Sequence, residues 1–129
     1  MENSDVLSRN KKLVCDFYEL AINQKNFEEA RKFLGSTYVQ HNPTIRDGEE
    51  GLRDFIDLFR DKFPGSRVEF KRVIAQDDYV VLHSHGTSGP HPNGTALVDI
   101  FRVRDGEIVE HWDVMQEIPE GARNENSMF

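Results

Sequence analysis

Apolar residues recur at three- and four-residue spacing through the first part of the chain. Leu7, Leu13, Val14, Phe17, Tyr18, Ala21 and Ile22 fall on one stripe of a predicted helix. Asn26 and Glu29 have capping-box spacing, which predicts a short second helix over 27–34 with Gly35 as its C-terminal cap. Asp47 or Gly48 can begin a third helix. Its stripe is Leu52, Phe55, Ile56, Phe59 and Phe63, and Pro64-Gly65 ends it.

After Gly65 the period changes to two. Strands are predicted over 67–76, 79–86, 95–104 and 107–116. Asp77-Asp78 makes a tight turn between the first pair, and the polar segment GTSGPHPNG at 86–94 makes a longer loop before the second pair. Asp105-Gly106 suits a two-residue type I′ hairpin turn. Helices followed by an antiparallel meander predict an α+β fold. A twisted, curved sheet with helices on one face would leave a cavity between the layers. With 129 residues and no linker or repeat, the expectation is a single domain over 1–129.

The last hairpin carries polar residues that a plain hairpin does not need. A two-residue turn with unbroken alternation sets Asp99 opposite Trp112 and Val98 opposite Asp113. Leu97, Asp99, Phe101, Val103, Ile108, Glu110, Trp112 and Val114 then share one face. Val98, Ile100, Arg102, Val109, His111, Asp113 and Met115 share the other, unless a bulge shifts the register. The first face is richer in large apolar groups, so it is expected to face the helices, with Asp99 beside Trp112 inside. His83 and His85 share a face of their strand, and His41-Asn42 precedes Pro43 just after the second helix. Their convergence on one cavity is an expectation, as is a solvated His91 in the 86–94 loop.

The formal charge of −7 argues against a nucleic-acid-binding surface, which would need a basic stripe. No apolar run reaches the length of a membrane span, and the N-terminal sequence has no apolar signal core. The one cysteine, Cys15, has no disulfide partner. These features predict a cytoplasmic protein with no nucleic-acid or membrane partner. The His83-x-His85 pair invites comparison with metal-binding cupins, but no glutamate follows at short spacing and the helical first half does not suit an all-β fold. Neither a metal nor another cofactor is expected.

Three segments together resemble the SnoaL-like polyketide cyclases, within the larger NTF2-like group that includes ketosteroid isomerases and scytalone dehydratase. They are YVQHNP at 38–43, RVIAQDDYVVLHSH at 72–85 and VDIFRVRDGEIVEHWDVMQ at 98–116. The tail NENSMF is similar to a subgroup of SnoaL-like aldol-condensation proteins. The resemblance implies a cone-shaped α+β barrel, with three N-terminal helices in the concavity of a curved, mainly antiparallel sheet. It also implies a homodimer through the outer sheet face. In cyclase members an acidic residue acts as base on a carbon acid, and Asp113 lies in the segment where that residue is expected. The ketosteroid isomerases carry a pocket acid on the preceding strand, where Asp99 lies.

The expected activity is cofactor-independent proton abstraction next to a carbonyl in a small hydrophobic compound, leading to isomerisation, aldol cyclisation or dehydration. Asp99 or Asp113 would be the base, and His83, His85 or Asn42 would donate to the developing enolate. His41, Asn42, Trp112, Phe101 and Phe59 are candidates for contact with the substrate. The alternative is a non-catalytic domain that binds a small apolar ligand in the same pocket.

Overall fold

The computed structural model describes residues 4–129. Helix α1 (Ser4–Tyr18) buries Val14, Phe17 and Tyr18, then widens into a π-turn, Glu19–Asn23, that turns Ala21 into the core. The Asn23 amide holds both backbone groups of Val68, donating to its carbonyl at 3.0 Å and accepting from its N–H at 2.8 Å. It thereby fastens the end of α1 to the sheet. The Asn26 side chain caps the next helix by accepting from the Glu29 N–H at 3.1 Å. The capping box is only half formed, because the Glu29 carboxylate pairs with Lys32 instead.

Helix α2 is shorter than the sequence suggests. It covers Phe27–Ala30 and tightens into a 3₁₀ turn at Arg31–Phe33, after which Leu34–Gln40 forms a strand, β1. Leu34 and Tyr38 are buried four residues apart, a spacing that also suits a helix. Gly35 is therefore a strand residue rather than a helix cap. A Cβ there would stand 3.1 Å from Val109 Cγ1, so the glycine permits close approach of a neighbouring strand. Helix α3 (Gly48–Lys62) begins at Asp47, whose carboxylate accepts from the Gly48 N–H, and buries Leu52 and Ile56.

The other strands follow the predicted pattern closely: β2 (Arg67–Gln76), β3 (Tyr79–Thr87), β4 (Thr95–Arg104) and β5 (Glu107–Glu117). The sheet order is β1-β5-β4-β3-β2, antiparallel except for the parallel pair β1 and β5. Asp105 and Gly106 both adopt positive φ (52° and 76°), as a type I′ turn requires. Fully buried side chains from α1 (Val14), α3 (Ile56), β3 (Leu82) and β5 (Ile108) form the core between the helices and the sheet. The Phe17 ring meets Phe101 edge-on at 5.8 Å. Among the described residues no helix is long and apolar enough to cross a membrane. The arrangement is the expected NTF2-like α+β cone.

The register of β4 against β5 departs from the expectation. Arg104 faces Glu107 and Val103 faces Ile108, but Arg102 faces Glu110, leaving Val109 as one extra residue in a β-bulge. Every residue beyond it changes face. Asp99 stands opposite Asp113, not Trp112, and Val98 stands opposite Val114. His111 and Asp113 turn inward, while Glu110, Trp112 and Val114 turn outward.

The close fit of Gly35 beneath the bulge gives a test. Gly35→Val should lower stability by about 1–3 kcal/mol through overpacking. Val109→Ala, which removes the opposing methyl groups, should restore part of that loss in the double variant, as read from urea unfolding midpoints. Additive losses would show that the two positions do not press on each other.

Candidate active site

The cavity between helices and sheet contains about 960 Å³ of atom-free space, part of it open to solvent. Phe17 and Tyr18 from α1, with Leu52, Phe55 and Phe59 from α3, form one wall. Tyr38 and Gln40 from β1, Leu97, Asp99 and Phe101 from β4, and His111, Asp113 and Met115 from β5 form the other. Alternation explains these sets, since each strand contributes residues two apart on one face.

Asp99 and His111 are only 4% and 6% exposed. His111 Nε2 lies 2.8 Å from Asp99 Oδ1, and the Tyr18 hydroxyl donates to Asp99 Oδ2 at 3.1 Å. On its other side, His111 Nδ1 lies 2.8 Å from Gln40 Oε1. The amide orientation follows from the network, because the Asn42 backbone N–H donates to the same Oε1 at 2.9 Å. His111 then donates from Nδ1 to Gln40, with its Nε2 facing Asp99. Burial, then the neighbouring Asp99 carboxylate, holds the Tyr18 hydroxyl well above its ordinary pKa, so it remains a donor.

Asp113 has a different environment. Its side chain is 11% exposed, and its carboxylate stands 4.0 Å from His111 Nε2. The Asn42 amide donates to both carboxylate oxygens, at 2.8 and 3.0 Å. The orientation of that amide is fixed, because Asn42 Oδ1 accepts from the Thr44 N–H and hydroxyl. Burial raises the Asp113 pKa and Asp99 adds to the rise, against the opposing effects of Asn42 and His111. The result is a carboxyl group on an apolar cavity wall that takes up a proton more readily than an ordinary aspartate.

Asp99, His111 and Asp113 each offer a ligand atom within 4.8 Å of the others, so they are the described residues best spaced to hold a metal ion. The hydrogen bonds above account for their arrangement without one.

Of the residues singled out from the sequence, Asp99, Asp113, Phe101 and Phe59 line the cavity, and Asn42 holds Asp113 from behind. Four lie elsewhere. His83 and His85 are on the outer face, because β3 turns Val80, Leu82 and Ser84 inward. There Arg72 hydrogen-bonds His83 Nδ1, and His85 stacks on Phe129 at 4.5 Å. The bulge sends Trp112 outward, where it stacks on His41 at 4.7 Å, and His41 Nε2 meets Glu110 at 2.7 Å. His91, expected in solvent, stands at the cavity rim near Glu117.

Tyr18, Gln40 and Tyr38 were not among the sequence candidates, and His111 was assigned to the wrong face. Tyr18 carried a signal: a tyrosine in a buried stripe needs a partner for its hydroxyl. The His111-x-Asp113 spacing also marked those two as sharing a face.

The SnoaL-like domain family model matches residues 14–111, from the middle of α1 to His111. No curated protein matches the sequence. Among solved structures, a proposed SnoaL-like polyketide cyclase from Jannaschia sp. CCS1 is similar, with a TM-score of 0.73 at 17% identity, over 89% of this chain and 90% of that one. AclR from Streptomyces galilaeus, a proposed hydroxylase, gives 0.73 at 20% identity over 88% and 82%. A proposed polyketide cyclase from Bacillus cereus gives 0.69 at 22% over 83% and 74%. These structural likenesses establish the fold, and with the family match over most of its length, the chain belongs to the SnoaL-like family.

Proposed function

We propose that the protein is a cofactor-independent enzyme that removes a proton next to a carbonyl in a small hydrophobic compound, with Asp113 as the base. The observation that carries this reading is the Asp113 carboxyl: on the wall of an aromatic-lined cavity, oriented by Asn42, with its pKa raised by burial. Asp113 takes the α-proton, the C–H electron pair forms a carbon–carbon double bond, and the carbonyl electrons move to oxygen to give an enolate. Return of the proton at another carbon isomerises the compound. Attack of the enolate carbon on a second carbonyl closes a ring, the alkoxide so formed taking the proton back from Asp113; alternatively, a β-hydroxyl takes that proton and leaves as water.

Asp99 serves a different purpose in this scheme. It already accepts from Tyr18 and pairs with His111, so it anchors the polar end of the cavity. The same proposal includes a cytoplasmic homodimer through the outer sheet face. Ile74, Tyr79 and Val114 are exposed there and continue into an apolar surface with Val81, Ile100 and Trp112.

The reaction is tested by proton NMR, following exchange of the α-protons of 2-tetralone for deuterium in heavy water. The protein should accelerate exchange over buffer, and Asp113→Asn should remove about 10²–10⁴ of that acceleration. Full activity in that variant would overturn the assignment of the base. Tight binding of the ketone with no exchange would instead indicate a binding domain.

The raised pKa of Asp113 gives two effects of opposite sign. The base must be ionised, so exchange should rise with pH later than it would for an ordinary carboxylate. The folded state binds this proton more tightly than the unfolded state. The contribution of this proton to stability is therefore fully present below the ordinary carboxylate pKa and is lost as pH rises through the raised one. Asp113→Asn escapes that loss. Its melting temperature relative to the parent should rise from acid to neutral pH in thermal melts, and a falling difference would contradict the sign.

The dimer is checked by light scattering. Val114→Glu should shift a dimer to monomer, whereas a parent protein that is monomeric at micromolar concentration would refute the interface.

A further inference from the structure

The proposed reaction places negative charge on a substrate oxygen, and that oxygen needs a hydrogen-bond donor in the cavity. Most donors near Asp113 are already engaged. The Asn42 amide is committed to the Asp113 carboxylate and the Tyr18 hydroxyl to Asp99. Both His111 nitrogens face protein acceptors, and His83 and His85 lie on the opposite side of the sheet. Tyr38 differs. Its hydroxyl oxygen is approached by Gln40 Nε2 at 3.4 Å, while its own O–H meets no acceptor among the described residues.

Tyr38 is 7% exposed and lines the cavity two residues before Gln40, the residue that pairs with His111 across β1 and β5. It therefore stands on the strand next to the one carrying Asp113. Ser66 also has a buried, unpartnered hydroxyl on the cavity. It precedes β2, at the far edge of the sheet, with β3 and β4 between it and β5. Arg67 and Thr87 are on the exposed rim.

We propose that Tyr38 is a catalytic residue that donates its hydroxyl hydrogen to the substrate carbonyl oxygen and holds the enolate formed when Asp113 takes the α-proton. Burial, and then the nearby Asp99 and Asp113 carboxylates, push the phenol pKa up from its ordinary value, so the group remains a neutral donor. A neutral donor suits a site where two carboxylates and one imidazole are already confined. The inference rests on the reading of Asp113 as base, and it narrows the substrate class to ketones whose α-carbon and oxygen reach Asp113 and Tyr38 together.

The experiment uses two rigid probes. 2-Naphthol carries oxygen on an sp² carbon, as an enolate does, and naphthalene has the same body without it. The parent protein should prefer 2-naphthol in titration calorimetry. Tyr38→Phe should reduce that preference by about tenfold or more while leaving naphthalene affinity unchanged. In the 2-tetralone exchange assay the same variant should lower kcat and kcat/KM together, as expected for an interaction made in the transition state. An undiminished preference for 2-naphthol, or equal loss of both probes, would overturn the assignment of Tyr38. If Asp113→Asn still abolishes exchange in that case, the base survives and only the donor is wrong. Failure of the parent protein to bind either probe would remove the cavity reading and this assignment with it.

Discussion

The site depends on one extra residue in a strand. Strand side chains alternate with a period of two, so a single insertion exchanges inside for outside for everything that follows. Val109 is that insertion. Without it, Glu110 and Trp112 would face the helices, and His111 and Asp113 would face away with Asp99 left alone. With it, two carboxylates and an imidazole come together at one end of an otherwise aromatic cavity. The neighbouring strand is fitted to the distortion: β1 pairs with β5 irregularly between Leu34 and Val39, and Gly35 leaves room for the Val109 side chain. That same strand supplies Gln40 and Tyr38.

Burying these groups together is tolerable because each has a partner. An unpaired carboxylate in such a place would be strongly unfavourable. Asp99 has Tyr18 and His111, His111 has Asp99 and Gln40, and Asp113 has Asn42. The partners come from α1, β1 and the segment after it, so the polar cluster also ties the helical layer to the sheet. The Asn23 clamp on Val68 makes a second tie at the opposite edge, on β2. Between them the helices are held over the sheet at both sides, and the space beneath remains open.

The elements governed by local rules were legible in the sequence. Asp47 and the Leu52–Ile56 stripe marked α3, and the two short turns with period-two alternation marked β2 to β5 within a residue or so at their ends. Strand β1 was hidden for two reasons. Its partner β5 is parallel and remote in sequence, so no hairpin signal announces it, and its glycine looks like a helix cap when the contact with Val109 is unknown. The bulge was hidden because EIVEHWDV alternates acceptably in either register, and hydrophobic weighting favours Trp112 inside. What decides otherwise is the burial of His111 among Gln40, Asp99 and Phe101, a cluster assembled from distant segments. The sequence conflict between Asp99 and Asp113 thus came from a false premise, since both carboxylates face inward.

Two aspartates directly opposite each other on paired strands need not share a role. Asp99 lies deeper, with the Tyr18 hydroxyl on one oxygen and His111 Nε2 against the other, and that enclosure leaves little room for a ligand. Asp113 has one amide behind it and the cavity in front. The Asp99 charge adds to the burial of Asp113 and favours protonation there, so the anchored residue adjusts the basicity of the other. The same charge would oppose an enolate forming nearby. A base strengthened by a neighbouring carboxylate therefore requires a donor to the substrate oxygen that is not already bound to either acid. The environment of the pair explains why the polar end extends across β5 to β1 instead of ending at the two acids.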